Sequence, residues 1–371
     1  MNHRIKVLHF ELDKNPGGIE SFLLNMYSKV DREQFQFDFV TRYANAAKSD
    51  ELEQLGAKIY KVSSLKKPYL YYREIKKIIS SGYDVIHIHK NSAANIIPFI
   101  VTKAYKNLKV ISHSHNTAPS VGKISEILHL INKSRLYKLS DEHLACSDIA
   151  GNWLYSAKRN FTVLRNGINT EQYKFSEIIR HSVRETLGIS DQAFVYGHVG
   201  HFTKQKNHEF LIRIFVQIQK KQKDAYLILV GGGALEDRIK NFVEDSGLKE
   251  RVFFLGLRAD VNRLLQAIDC FIMPSIYEGL PIAAIEAQAA GLKVFLADTI
   301  SKETQITDSV EWFSLSKEAE EIALNIIEAG MQQDRLTPNF AVKKAGYDSI
   351  ETAEFLEKLY YRLCIEKDRV K

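Results

Sequence analysis

Cysteine is scarce: the 371 residues contain three, Cys146, Cys270 and Cys364. So few, so far apart and odd in number, they exclude a disulfide framework and a cysteine-rich zinc cluster, and they fit a reducing cytosol. Long apolar runs are also missing. No uninterrupted stretch approaches the ~20 residues a spanning helix needs. The amino-terminal MNHRIKVLHFELD meets charge too early for a signal peptide and reads as a first strand. Neither half carries a G-x-G-x-x-G fingerprint, which disfavours a hydride-transferring dehydrogenase. Internal repeats and low-complexity segments are absent. The basic residues lack an aromatic-interleaved recognition motif, so nucleic acid is not an expected partner.

What is present describes an ordinary globular enzyme, 45% apolar and 26% charged. At this length one hydrophobic core has stopped growing, so two domains are expected. The net charge of +6 is unevenly spread: residues 1–165 hold 25 Lys and Arg against 15 Asp and Glu, the remainder 26 against 30. A basic first half suits an anionic partner such as lipid headgroups or a phosphorylated acceptor; a solvated lysine-rich surface is the plainer explanation.

Short β-branched runs alternate with helical patterns, the signature of parallel α/β sheets. The expected strands are Ile5–Phe10, Phe35–Thr41, Lys58–Val62, Val85–His89, Lys109–Ser114 and His143–Ala145. A second series follows at Phe194–Val199, Tyr226–Val230, Val252–Leu255, Cys270–Met273 and Val294–Leu296. The turn-rich Asn166-Gly167-Ile168-Asn169-Thr170 separates them. The expected domains are therefore 1–165, completed by a long carboxy-terminal helix (about 349–371) that returns to it, and 166–348.

The most informative segment is Pro274-Ser275-Ile276-Tyr277-Glu278-Gly279-Leu280-Pro281, followed by an almost wholly apolar helical stretch that ends at Gly291. Glu286 lies in the middle of that stretch, where an unpaired carboxylate would cost several kcal/mol. A sugar diol offers it two hydroxyl donors; a buried Arg or Lys is the alternative. Backbone N–H groups at Gly279 and Leu280 suit phosphate oxygens.

Here the chain resembles retaining glycosyltransferases of the GT-B fold, specifically glycosyltransferase family 4. Glu278 and Glu286 have the spacing of that family's E-x7-E motif, and the flanking PS-x-YEG-L-P and EA-x-A-x-G match too. The resemblance implies two Rossmann-like domains whose parallel sheets face a central cleft, closing about the Asn166 segment. It implies that Glu286 holds the nucleotide ribose, that Glu278 lies beside the transferred sugar, and that anomeric configuration is retained.

The remaining site residues follow from it. In Gly200-His201-Phe202-Thr203-Lys204-Gln205-Lys206, Lys206 takes the place of the family's diphosphate-binding lysine, while His201 replaces the usual Arg. That is a departure, because a neutral imidazole offers one N–H where guanidinium offers a charged fork. Lys204 and Lys206 could otherwise be solvated loop charges. In Asn15-Pro16-Gly17-Gly18, Gly17 and Gly18 match the Gly-Gly loop facing the donor diphosphate, or form a plain tight turn. Within Ser112-His113-Ser114-His115-Asn116, His115 matches the histidine near the reacting sugar, and His113 reads as a core residue. Gly233 in the Val230–Ala234 loop is expected near the nucleotide. Arg258 either stacks on the base or bridges surface carboxylates. No metal is expected: no third ligand accompanies the two histidines, and the Asp-x-Asp pair of other glycosyltransferases is missing.

These features lead us to expect a hexosyltransferase that needs no cofactor, moving a sugar from a UDP-linked donor to a saccharide or lipid-linked saccharide in bacterial exopolysaccharide or capsule synthesis. A UDP-sugar epimerase of the same architecture is the alternative. The stretch Val121–Lys138 sets Ile124, Ile127, Leu128, Ile131 and Leu139 among Lys123, Lys133, Arg135 and Lys138. It either packs on the sheet with its lysines in water, the favoured expectation, or lies on an anionic membrane. The expected location is cytoplasmic, with that contact on the inner face of the membrane as the second option.

Overall fold

In the computed structural model the described residues are 4–14, 17–115, 122–330 and 334–369, with side chains described to 365. Asn15, Pro16, Asn116 and Val121, named above, lie outside them.

The chain divides into two compact units, 1–168 with 346–371, and 169–345. The first holds seven strands: β1 (Ile5–Leu12), β2 (Phe35–Thr41), β3 (Ile59–Lys61), β4 (Val85–Lys90), β5 (Lys109–Ser114), β6 (Glu142–Ala145) and β7 (Thr162–Val163). All pair in parallel, in the order β3-β2-β1-β4-β5-β6-β7. Hydrophobic side chains are buried on both faces, as parallel strands covered by helices require. One face packs Val7, Val85 and Ile111 under the helix Gly18–Tyr27 and the helix Ser349–Arg369; the other packs Leu8, Ile86 and Ile88.

The second unit holds β8 (Val195–Val199), β9 (Tyr226–Val230), β10 (Val252–Phe254), β11 (Cys270–Met273), β12 (Lys293–Ala297) and β13 (Val310–Phe313). Their order is β10-β9-β8-β11-β12-β13, again parallel. Each sheet reverses its winding once, between β1 and β4 and between β8 and β11. Loops at the carboxyl ends of such a pair diverge and leave a ligand crevice. β7 and β13 were not expected from the sequence; β7 has only two residues, and β13 mixes Glu311 and Trp312 into its apolar run.

Asn166–Asn169 is more ordered than a turn-rich break suggests. The Ile168 N–H donates to the Tyr347 carbonyl (2.8 Å) and the Ser349 N–H to the Ile168 carbonyl (2.8 Å). A Cβ on Gly167 would stand 2.6 Å from Thr352 Oγ1 and 2.9 Å from the Asp348 carbonyl oxygen, so this close approach requires glycine.

The helix Lys123–Lys138 corrects the favoured expectation for that stretch. Only His129 and Leu136 are buried. Ile124 (77% exposed), Ile127 (56%), Leu128 (41%) and Ile131 (67%) form an outward stripe at i, i+3, i+4 and i+7. His129 anchors the helix, stacked on Trp153 at 4.2 Å and accepting the Ala93 N–H at 3.1 Å.

Candidate active site

In the second unit the expected residues come from the carboxyl ends of neighbouring strands. Glu278 follows β11 and Lys206 follows β8, the two strands at the winding reversal. Their side chains form an ion pair of 2.7 Å, each less than a fifth exposed. The loops are tied by further bonds: the Ile276 N–H donates to the Gln205 carbonyl, Gln205 Nε2 to the Tyr277 carbonyl, and Asn207 Nδ2 to the Pro274 carbonyl. Lys206 is thus held across the crevice rather than left as a solvated loop charge. The N–H groups of Gly279 and Leu280 donate to no protein acceptor among the described residues.

Glu286 sits on the helix Ile282–Ala289, which begins just after Pro281 and ends where Gly291 adopts φ 70°. A Cβ at Gly291 would lie 2.2 Å from the Arg335 carbonyl oxygen. The arginine or lysine alternative is not met: among the described residues neither pairs with Glu286. Instead Tyr173 Oη donates to Glu286 Oε1 at 2.6 Å. Burial pushes the Glu286 carboxyl up to about 7, and the tyrosine hydrogen bond only partly offsets this. Tyr173, on the short helix Thr170–Tyr173, was not anticipated; an isolated Tyr after a turn gives no pattern to read.

His201 Nδ1 donates to the Gly232 carbonyl (3.0 Å). In the neutral ring Nε2 is then an acceptor, so only an imidazolium could donate from it to an anion. The glycines of the β9 loop have a steric reason as well. Gly231 (φ 145°) would place a Cβ 2.1 Å from the Gly200 carbonyl oxygen, and Gly233 (φ 157°) one 2.7 Å from that of Phe202. Their absent side chains let the loops after β8 and β9 pack together. Arg258 Nε and Nη2 donate to Asp260 Oδ1 and Oδ2, both at 2.7 Å, at the surface.

In the first unit, Gly17 caps the helix Gly18–Tyr27 and Gly18 opens it. Buried Glu20 accepts the Asp13 N–H (2.9 Å), and a Cβ on Gly17 would meet Glu20 Oε2 at 3.0 Å. His115 stands at the end of β5, its Nε2 2.9 Å from His89 Nδ1. His113 is fully buried against His87 and Phe22.

The largest departure is around these two. The expectation that no third ligand lies near His113 and His115 is overturned. His9 on β1, His87 and His89 on β4, and His113 and His115 beyond it share one face of the sheet, because alternation and the pairings His9↔His87 and His89↔His113 stack them in register. Two trios, His9/His87/His89 and His89/His113/His115, keep one ring nitrogen each within 4.8 Å of one another. A tetrahedral zinc at ~2.0–2.1 Å from each nitrogen needs them at roughly 3.3 Å, so rings that now bond to each other would have to regroup. The sequence did carry a signal, His-x-His in two strands that pair. Beside this cluster, Glu11 adopts φ 78° at the end of β1 and pairs with Lys90 (2.5 Å) and Arg42 (3.3 Å). Burial raises the Glu11 carboxyl, but the two cations outweigh it and hold it below the ordinary range.

Comparison with known proteins agrees with this architecture. The model for Glycosyltransferase Family 4 matches residues 16–172, and that for Glycosyl transferases group 1 matches 180–337. A Bacillus subtilis (strain 168) protein designated glycosyltransferase EpsF is 29% identical over 98% of both chains. The UDP-Gal:alpha-D-GlcNAc-diphosphoundecaprenol alpha-1,3-galactosyltransferase of Escherichia coli is 26% identical over 80% of both. Among solved structures, Anabaena Alr3699/HepE in complex with UDP superposes with a TM-score of 0.77 at 20% identity, over 96% of this chain and 100% of that one. The fold is GT-B and the protein is a transferase enzyme. Within that class the chain is a glycosyltransferase of the group 1/family 4 type. The epimerase alternative draws no support from these relatives.

Proposed function

We propose that this enzyme transfers a hexose or N-acetylhexosamine from a UDP-linked donor, with retention of configuration and without a metal, to a lipid-linked saccharide in bacterial surface polysaccharide synthesis. The carrying observation is Glu286: a half-buried residue whose carboxyl is bonded to one tyrosine hydroxyl, on the helix that follows the Lys206–Glu278 pair. A ribose diol would give this carboxylate two donors. Lys206 and the Gly279 and Leu280 N–H groups would take the charge that develops on the leaving diphosphate, which is the task otherwise given to a metal ion. Glu278 beside them would face the transferred sugar. The second unit on this reading holds most of the donor; the first serves the acceptor, with His115 for the reacting sugar and Gly17 and Gly18 for the donor diphosphate. The relative that uses a UDP-galactose and a diphosphoundecaprenol acceptor supports the substrate class, as does the UDP bound to HepE.

The exposed stripe Ile124, Ile127, Leu128 and Ile131, with Lys123 and Lys138 also exposed, supports peripheral contact with an anionic membrane, where a lipid-linked acceptor would be found. No described helix is long and apolar enough to cross a membrane.

A thermal-shift screen with UDP-, GDP-, ADP- and dTDP-sugars tests the donor, since a ligand of the folded state raises its apparent stability. UDP-sugars should shift the melt and the others should not. Transfer to a lipid-linked acceptor in EDTA, with the product anomer read by NMR, tests the rest. Loss of activity in EDTA that a divalent ion restores, or an inverted anomer, would refute the corresponding part.

A further inference from the structure

The five clustered histidines, four of them buried, form two hydrogen-bonded series. In one, Tyr360 Oη meets His87 Nδ1 (2.7 Å), and His87 Nε2 meets His113 Nδ1 (3.2 Å). In the other, His9 Nδ1 meets His89 Nε2 (3.1 Å), and His89 Nδ1 meets His115 Nε2 (2.9 Å). The second series runs from the core to the carboxyl edge of the sheet, where His115 is partly exposed. Its ends differ. His9 Nε2 is buried without a hydrogen-bond partner among the rings of Phe37 and Phe39. His115 Nδ1 also lacks one, but lies close enough to the Asn166 side chain for that group to favour a proton on the ring, and Asn166 Oδ1 is itself unpartnered.

Burial keeps these rings neutral, with His9 and His115 pushed down to about 3 and His89 well below its ordinary value. Each therefore carries one N–H and one lone pair. Two ring-to-ring bonds then allow only two arrangements, because choosing the tautomer of one ring sets the others. In the first, every ring has its proton on Nε2. His9 then buries an N–H donor among apolar rings, and His115 turns a lone pair toward the oxygen of Asn166. In the second, every proton is on Nδ1. His9 then buries only a lone pair, the less costly orphan, and His115 turns an N–H toward Asn166 Oδ1. Both ends favour the second.

We propose that His9 and His89 are positioning residues that fix His115 as the Nδ1–H tautomer, so that it presents a standing donor to the Asn166 side chain. No proton is transferred along the series: the rings stay neutral and their polarity is set on folding.

The test begins with the full-length protein, labelled with 15N-histidine, near pH 7 without ligand. Long-range 1H–15N spectra distinguish a protonated ring nitrogen from a bare one. Nδ1–H in His9, His89 and His115 is the expected result; Nε2–H in any of them overturns the proposal. So does stoichiometric zinc uptake that claims these nitrogens. In His89→Leu, His115 should relax to a mixture of tautomers, read in the same spectra. His89→Asn, whose amide N–H can replace Nδ1–H, should recover much of the Nδ1–H form. A His115 that stays Nδ1–H in His89→Leu refutes the relay.

Discussion

Glu286 gives the sharpest prediction, because donor binding and folding should respond to it with opposite sign. In the free protein burial pushes its carboxyl from 4.5 up to about 7. A ribose diol bonded to the carboxylate favours the ionised form, so the group must be deprotonated to bind well. Between pH 6 and 8 the ionised fraction rises roughly tenfold, and affinity for a UDP-sugar should rise by the same factor and level off above pH 8. UDP-glucose suits the measurement because its pyrophosphate is a diester, without the phosphomonoester ionisation near pH 6. Folding runs the other way. A carboxyl raised in the folded state binds its proton more tightly there than in the unfolded chain. Stability is therefore complete below about pH 4.5 and falls as pH climbs toward 7. The loss reaches about 3 kcal/mol, at about 1.4 kcal/mol per pH unit. Glu286→Gln keeps an oxygen for Tyr173 and removes the charge. At pH 8 it should melt several degrees above wild type, at pH 4.5 with wild type, and bind UDP-glucose about 2 kcal/mol more weakly with a flat pH profile. Calorimetric titration and thermal melts across pH 4.5–8.5 measure both. A wild-type affinity independent of pH, or a Gln variant that still follows the wild-type profile, would refute the reasoning.

Glu278→Ala should lower kcat about a hundredfold while changing donor affinity little, measured by steady-state kinetics beside direct binding, because it faces the sugar and leaves Lys206 for the diphosphate. His201→Arg should preserve or raise kcat, since a guanidinium donates to phosphate without needing to gain a proton; a complete loss would give the imidazole a role of its own. Ile124→Ser with Ile131→Ser should leave the melting temperature within about a degree but weaken binding to phosphatidylglycerol vesicles by about 2 kcal/mol, roughly thirtyfold, per side chain. Gly231→Ala should cost at least about 2 kcal/mol in a denaturant melt, because its Cβ would strike the Gly200 carbonyl oxygen at 2.1 Å.

The sequence by itself determined what local chemistry can express. Alternation of β-branched runs with helical patterns placed eleven of the strands within about two residues, because a strand buried on both faces must be continuously apolar whatever it packs against. The spacing of Glu278 and Glu286, the lysine at 206 and the glycines near them marked one loop–helix unit and its partner loop, since each of those constraints acts within a few residues. Tertiary structure decided what depends on meetings across the chain. Tyr173 and Glu286 are 113 positions apart, so nothing in either segment announces that a hydroxyl, rather than an arginine or lysine, answers the carboxyl. The outward turn of Ile124 and Ile131 was equally hidden, because an amphipathic pattern states that a helix has an apolar stripe and not which surface the stripe will meet. The histidines make the same point most plainly. Each His-x-His pair fixes a face of its own strand, but only the pairing of β1, β4 and β5 in register joins them into two hydrogen-bonded series, and strand register is a property of the folded sheet.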